Sequence, residues 1–107
     1  MKTTFALAAA LLTSSLPAAH ASSDDAWSGF QAEVAKACVT AAKGLIENGK
    51  ALVDPFGSQS YGLAVVSGKA VGAKVTISTL CAFDKKTRKA EIGGEISADK
   101  LTVKAGK

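Results

Sequence analysis

Cys38 and Cys81 are the only cysteines of this 107-residue chain. Two cysteines can form a structural disulfide, act as a redox pair, link two chains or stay as free thiols. Lys85-Lys86-Thr87-Arg88-Lys89 forms a second cluster. Its cations Lys85, Lys86, Arg88 and Lys89 suit phosphates, an acidic glycan or a lipid headgroup layer. The stretch DPFGSQSYG, residues 54–62, is the third: Phe56, Ser58, Gln59, Ser60 and the single tyrosine, Tyr61, set among Gly57 and Gly62. One rigid aromatic anchor among small polar residues is the composition of adaptable protein-binding loops. The competing reading makes Phe56 and Tyr61 plugs at the end of the core.

The N-terminus decides which of these chemistries the surroundings favour. Met1-Lys2 is followed by the apolar run FALAAALL, residues 5–12, and by Ala19-His20-Ala21. A positive start, a short apolar run and an A-x-A site describe a secretory signal peptide cleaved after Ala21. The run is far shorter than the ~20 residues that span a bilayer. Ser22 stands where a lipoprotein would carry its acylated cysteine. The expectation is a bacterial protein, periplasmic or secreted, with residues 1–21 removed and residues 22–107 forming one small domain. Export favours disulfides, so an intrachain Cys38–Cys81 bond is expected. Closing a loop of about 43 residues contributes up to ~4 kcal/mol in the chain-entropy model. A domain this small needs such a covalent link.

Cleavage also removes the only histidine, His20. Ser-His-Asp and Cys-His catalysis and histidine-containing zinc sites are thereby excluded from the mature chain. Ser58, Ser60 and Ser67 have no imidazole base, and nothing in the sequence fixes a serine–lysine geometry. No phosphate loop, dinucleotide fingerprint, C-x-x-C or calcium loop is present. Glu91 and Glu95 would lie ~13 Å apart on a strand, too far to share a proton. No enzyme activity, cofactor or metal is expected. Loss of Lys2 leaves 12 basic residues against 9 acidic ones. That modest excess, with no aromatic interleaved in the basic cluster, argues against nucleic acid as the partner. The bland reading of the cluster is a solvated turn that resists edge-to-edge aggregation. The expected partner is an envelope protein, or else an anionic envelope glycan, lipid headgroup or small molecule.

These groups need elements to hold them. Trp27, Phe30, Val34, Cys38, Ala41 and Leu45 recur at spacings of 3 and 4, which predicts one helix with an apolar stripe. Asp24 and Asp25 suit its start, and Gly44 or Asn48-Gly49 its end. On this reading residues 54–62 connect helix to strand. Tyr61 to Val66 then alternate, as do Val75, Ile77, Cys81 and Phe83 against Lys74, Thr76 and Ser78. Asp84 to Arg88 reads as a hairpin tip. Ala90, Ile92, Gly94 and Ile96 predict a third strand, with a bulge or close backbone contact at Gly93-Gly94. Leu101 and Val103 predict a short fourth one. Cys38 on the helix stripe and Cys81 on a strand's apolar face can join only if the helix lies across the sheet. The fold class is therefore α+β: an N-terminal helix packed on a three- or four-stranded antiparallel meander with one disulfide. This arrangement resembles the helix-on-meander of cystatin-like folds, in architecture alone. The serine-glycine-tyrosine content of residues 54–62 resembles loops of periplasmic lysozyme inhibitors, in a different order, and no residue role is carried over.

Overall fold

The computed structural model describes residues 24–101 and 103. The proposed signal peptide, residues 1–21, lies outside them. One helix, α1 (Asp24–Ala41), is followed by β1 (Ile46–Val53), β2 (Tyr61–Ala70), β3 (Thr76–Asp84), β4 (Ala90–Ile92) and β5 (Ile96–Ser97). The sheet is antiparallel in the order β1-β2-β3-β4, with β5 also paired to β3. The helix lies across one face, as the two periodicities require. Cys38 and Cys81 are bonded, with Cα atoms 5.9 Å apart, and join helix to sheet through the core. That core is Val34, Cys38, Ala42, Ile46, Ala64, Val66, Ala70, Ile77, Cys81 and Phe83.

The helix begins as expected, with Asp24 and Asp25 in its first turn. It ends earlier than the apolar spacing alone suggests. The amides of Leu45 and Ile46 both donate to the Ala42 carbonyl (2.8 Å each), closing a tight turn at residues 42–45. Asn48-Gly49 is no helix stop; it is a bulge inside β1. The register runs Ile46↔Ala70 and Glu47↔Lys69, then resumes at Lys50↔Ser67. One extra residue is thus absorbed on β1, and Asn48 takes a positive φ of 51°. Asparagine tolerates that conformation, and a bulge of this kind reverses which residues face inward. The reversal hides the period-two signal, because Ile46 faces the core before the bulge and Ala51 and Val53 after it. Strand pairing with β2 outweighs the helical spacing that carries on to Leu45.

Opposite the bulge, Gly68 has no room for a side chain. A Cβ there would lie 2.7 Å from Ile46 Cγ2 and 2.9 Å from the Glu47 carbonyl oxygen. Gly62 does the same service beneath the helix, where a Cβ would sit 2.6 Å from Val34 Cγ2 and 3.1 Å from Phe30 Cζ. The helix seats against bare backbone at that point.

β3 places Ile77, Cys81 and Phe83 inward as expected, whereas Val75 precedes the strand and is exposed. The anticipated single third strand is broken. Residues 93–95 carry no strand, and the hydroxyl of buried Thr79 lies 2.9 and 2.8 Å from the Gly93 and Gly94 carbonyl oxygens. Ile92 pairs with inward-facing Cys81, but Ile96 pairs with Ser78 of the other face. The glycine pair flips the strand over. Leu101 and Val103 form no strand; a turn over 98–100 precedes them, with Leu101 N donating to Ser97 O at 3.1 Å.

Candidate functional site

Residues 54–60 join two strands, not helix to strand, and Tyr61-Gly62 open β2. This β1–β2 connection lies beside the β3–β4 tip and the first turns of α1. Each hairpin end begins with the same device. Asp54 Oδ1 accepts from the amides of Phe56 (3.2 Å) and Gly57 (3.1 Å), and Asp84 Oδ1 accepts from Lys86 (2.8 Å) and Thr87 (3.1 Å). An aspartate that bonds amides two and three residues on fixes a turn without help from sheet or helix.

The 54–61 loop is tied down further at nearly every residue. Ser58 N donates to Tyr61 O (2.8 Å), while Tyr61 N donates to Ser58 Oγ (3.1 Å). Gly57 takes a φ of +73°, and a Cβ there would come within 2.3 Å of the Tyr61 carbonyl oxygen. Only glycine fits. Gln31 Nε2 of the helix donates to Pro55 O at 3.1 Å. From the neighbouring tip, Lys85 Nζ donates to Phe56 O (3.1 Å) and Ser58 O (2.7 Å), and its backbone amide donates to Ser60 O (3.0 Å).

The aromatics of this end form a chain of edge-to-face contacts. Phe56 meets Trp27 with ring centroids 4.9 Å apart, Trp27 meets Phe30 at 5.6 Å, and Phe30 meets buried Phe83 at 6.2 Å. Such pairs each contribute ~0.5–1.5 kcal/mol beyond the area they bury. The Lys85 ammonium lies 5.2 Å from the Phe30 ring centre and 5.9 Å from that of Trp27. The Trp27/Phe30 pair, at the start of the helix's apolar stripe, is half-buried and carries Phe56 on its outer edge.

The structure therefore brings the two candidate sets together and then divides each. Among the four cations, Lys85 is committed to loop carbonyls and rings. Arg88 grips Glu33 of the helix through Nε and Nη2, with Nε–Oε2 at 2.9 Å, and its guanidinium lies 5.8 Å from the Phe83 ring centre. Lys86 and Lys89 are exposed, and among the described residues neither is in an ion pair. Arg88 also holds a positive φ of 65°, unusual for a non-glycine residue. In the loop, Ser58 is spent on the turn, while Gln59 and Ser60 are exposed. Phe56 is 57% and Tyr61 43% exposed, so neither plugs the core. They point apart: Phe56 leans on the helix, whereas Tyr61 starts the row of side chains on the opposite sheet face, in register with Asp84.

That face is what the sequence reading missed. Leu52, Leu63 and Leu80 are exposed there beside half-buried Val65. The signal was present in β2, where YGLAVV alternates large and small. Because Ala64 is in register with Cys81, the disulfide assigns the small residues to the helix and the large ones outward. A cleft of about 260 Å³ opens at the other side of this end, lined by Ala26, Trp27, Phe30, Lys85 and Arg88. Among the described residues, no group of three or more acidic, histidine or cysteine side chains is placed to hold a metal, and no helix is long and apolar enough to cross a membrane. No protein-family model, curated protein or solved structure matches this chain.

Proposed function

We propose that the protein is exported to the bacterial periplasm and acts there without catalysis, binding a macromolecular envelope partner in the manner of an inhibitor or adaptor. The observation that carries this reading is the 54–61 loop, held by backbone hydrogen bonds at most of its residues while Phe56 and Tyr61 remain exposed. A surface aromatic held rigidly before binding loses little entropy on docking. Lys86 and Lys89 beside the loop add attraction for an acidic partner. Anion binding by the whole basic tip has less support, since Lys85 and Arg88 are already engaged. A small-molecule site has less again. The cleft at Trp27 holds about 260 Å³. The wider concavity of about 680 Å³ over Leu52, Leu63 and Leu80 is open and has Asp54 as its only polar side chain among the described residues, where a ligand site needs several convergent ones.

Mature protein immobilised through its C-terminus and exposed to periplasmic extract should retain a specific protein. Phe56→Ala and Tyr61→Ala should each weaken that capture by about tenfold or more, as truncated interface anchors do. Both variants should remain folded. Equal capture by wild type and both variants would discard the loop as the binding surface.

A further inference from the structure

Three rows of the sheet define its uncovered face. Leu52 is in register with Val65, and Val65 with Leu80, so one row of aliphatic side chains crosses three strands. Leu52 and Leu80 are 55% and 54% exposed. The row on one side runs Lys50, Ser67, Ser78; the row on the other begins at Asp54 and continues through Leu63 and Ala82. The surface is apolar and open, a broad concavity of about 680 Å³ over Leu52, Leu63, Val65 and Leu80 rather than a narrow socket. Another flat sheet fits it better than a knob does.

Two details say which sheet. Along β1 a cation and an anion flank the apolar row at equal distance, Lys50 two residues before Leu52 and Asp54 two residues after it. A two-fold axis across the strands through this row would place Leu52, Val65 and Leu80 over themselves. It would also set each Lys50 opposite Asp54 of the other copy. An axis along the strands would set Lys50 over the Ser78 side instead, with no charge to meet. The second detail is the hydroxyl pair at the flank. Ser78 is already buried in the monomer and its Oγ lies 2.6 Å from that of half-buried Ser67, so covering Ser67 leaves no new unpaired polar group.

We infer that this open face is where a second copy of the chain docks, sheet against sheet, about a two-fold axis crossing the strands at Leu52-Val65-Leu80. The inference goes beyond the loop reading, for it centres on the middle of the sheet; of the loop residues only Asp54 and, at the edge, Tyr61 lie on this face, and Phe56 stands on the helix side. Three strands by five residues give a footprint of about 15 by 17 Å. That is small beside the ~800 Å² each partner contributes to a standard interface, so the dimer is a weak and transient one.

Sedimentation equilibrium of the oxidised mature protein, from about 5 µM to 1 mM, tests this. Mass should rise from monomer to dimer and stop there. Leu80→Lys should raise the dissociation constant at least tenfold with an unchanged circular dichroism spectrum. Asp54→Asn keeps the turn-capping oxygen and removes the charge, and it and Lys50→Asp should each weaken the dimer about three- to tenfold. These are the effects of two symmetric, partly exposed ion pairs. Val75→Ser, in the β2–β3 turn, should change nothing. A monomer at 1 mM, a dimer indifferent to Leu80→Lys, or growth past the dimer would overturn the inference. So would a monomer whose Leu80 face instead captures an unrelated envelope protein.

Discussion

The two faces of this sheet are built from the same strands and obey opposite rules. Beneath the helix, β2 presents Gly62, Ala64, Val66 and Ala70; toward the outside it presents Tyr61, Leu63 and Val65. The larger side chains are the exposed ones. Small residues on the covered face let the helix approach until Val34 and Phe30 press on the backbone at Gly62, and the disulfide can then bridge the gap. Close approach replaces bulk there. On the open face Leu52, Leu63 and Leu80 remain exposed beside half-buried Val65, and no described helix covers them. Sheets with one solvated face ordinarily alternate apolar and polar residues. That departure is the ground on which the docking of a second copy at the open face is proposed.

The largest expected effect lies on the covered face. Replacing both Cys38 and Cys81 with alanine should lower the unfolding free energy by up to ~4 kcal/mol, measured by urea titration. A loss below about 1 kcal/mol would mean that helix and sheet hold together without the bond. Next comes Gly62→Ala. The added methyl would need Val34 or Phe30 to withdraw, so a loss of ~1–3 kcal/mol is expected from overpacking. Thermal unfolding of this variant with the disulfide intact isolates the packing contribution from the covalent one.

How far the sequence reaches follows the same division. The helix, its inward stripe and the Cys38–Cys81 pairing were legible because two independent periodicities had to meet. β1 was not, since the bulge at Asn48-Gly49 breaks its alternation and imitates a helix stop. The third strand misled for the same reason at Gly93-Gly94, where the chain turns its other side inward between Ile92 and Ile96. In each case one residue's worth of backbone irregularity undoes a pattern that depends on strict parity. For the site, composition pointed to residues 54–61 and 85–89 separately. Their joining through Lys85, and the commitment of Arg88 to Glu33, depend on contacts between residues as far as 55 apart in sequence. No local pattern carries that.

A smaller effect is expected at Arg88, which links the hairpin tip to the covered side. Its left-handed backbone costs ~1–2 kcal/mol for a residue with a Cβ. Its ion pair with Glu33 is partly exposed and contributes ~1 kcal/mol or less. Arg88→Ala keeps the strain and loses the pair, whereas Arg88→Gly loses both. The glycine variant should therefore be more stable than the alanine variant by about 1 kcal/mol in chemical denaturation, and close to wild type. If alanine equals or exceeds glycine, the positive φ is not a cost that the guanidinium contacts offset.

The smallest effect is the most informative about the contrast between faces. Leu80→Thr replaces an exposed leucine in β3 by a β-branched residue that suits a strand. A leucine in the covered core would lose ~2–5 kcal/mol on truncation to alanine. Leu80 is 54% exposed and packs under no described helix, so at 1 µM, where a weak dimer would be dissociated, stability should change by no more than ~0.5 kcal/mol. Repeating the denaturation at 500 µM adds a second reading. Wild type should gain stability with concentration, because association favours the folded state by mass action. Leu80→Thr should gain less. A loss of 2 kcal/mol at 1 µM would show that Leu80 serves the monomer's own core, and the difference between the two faces would vanish.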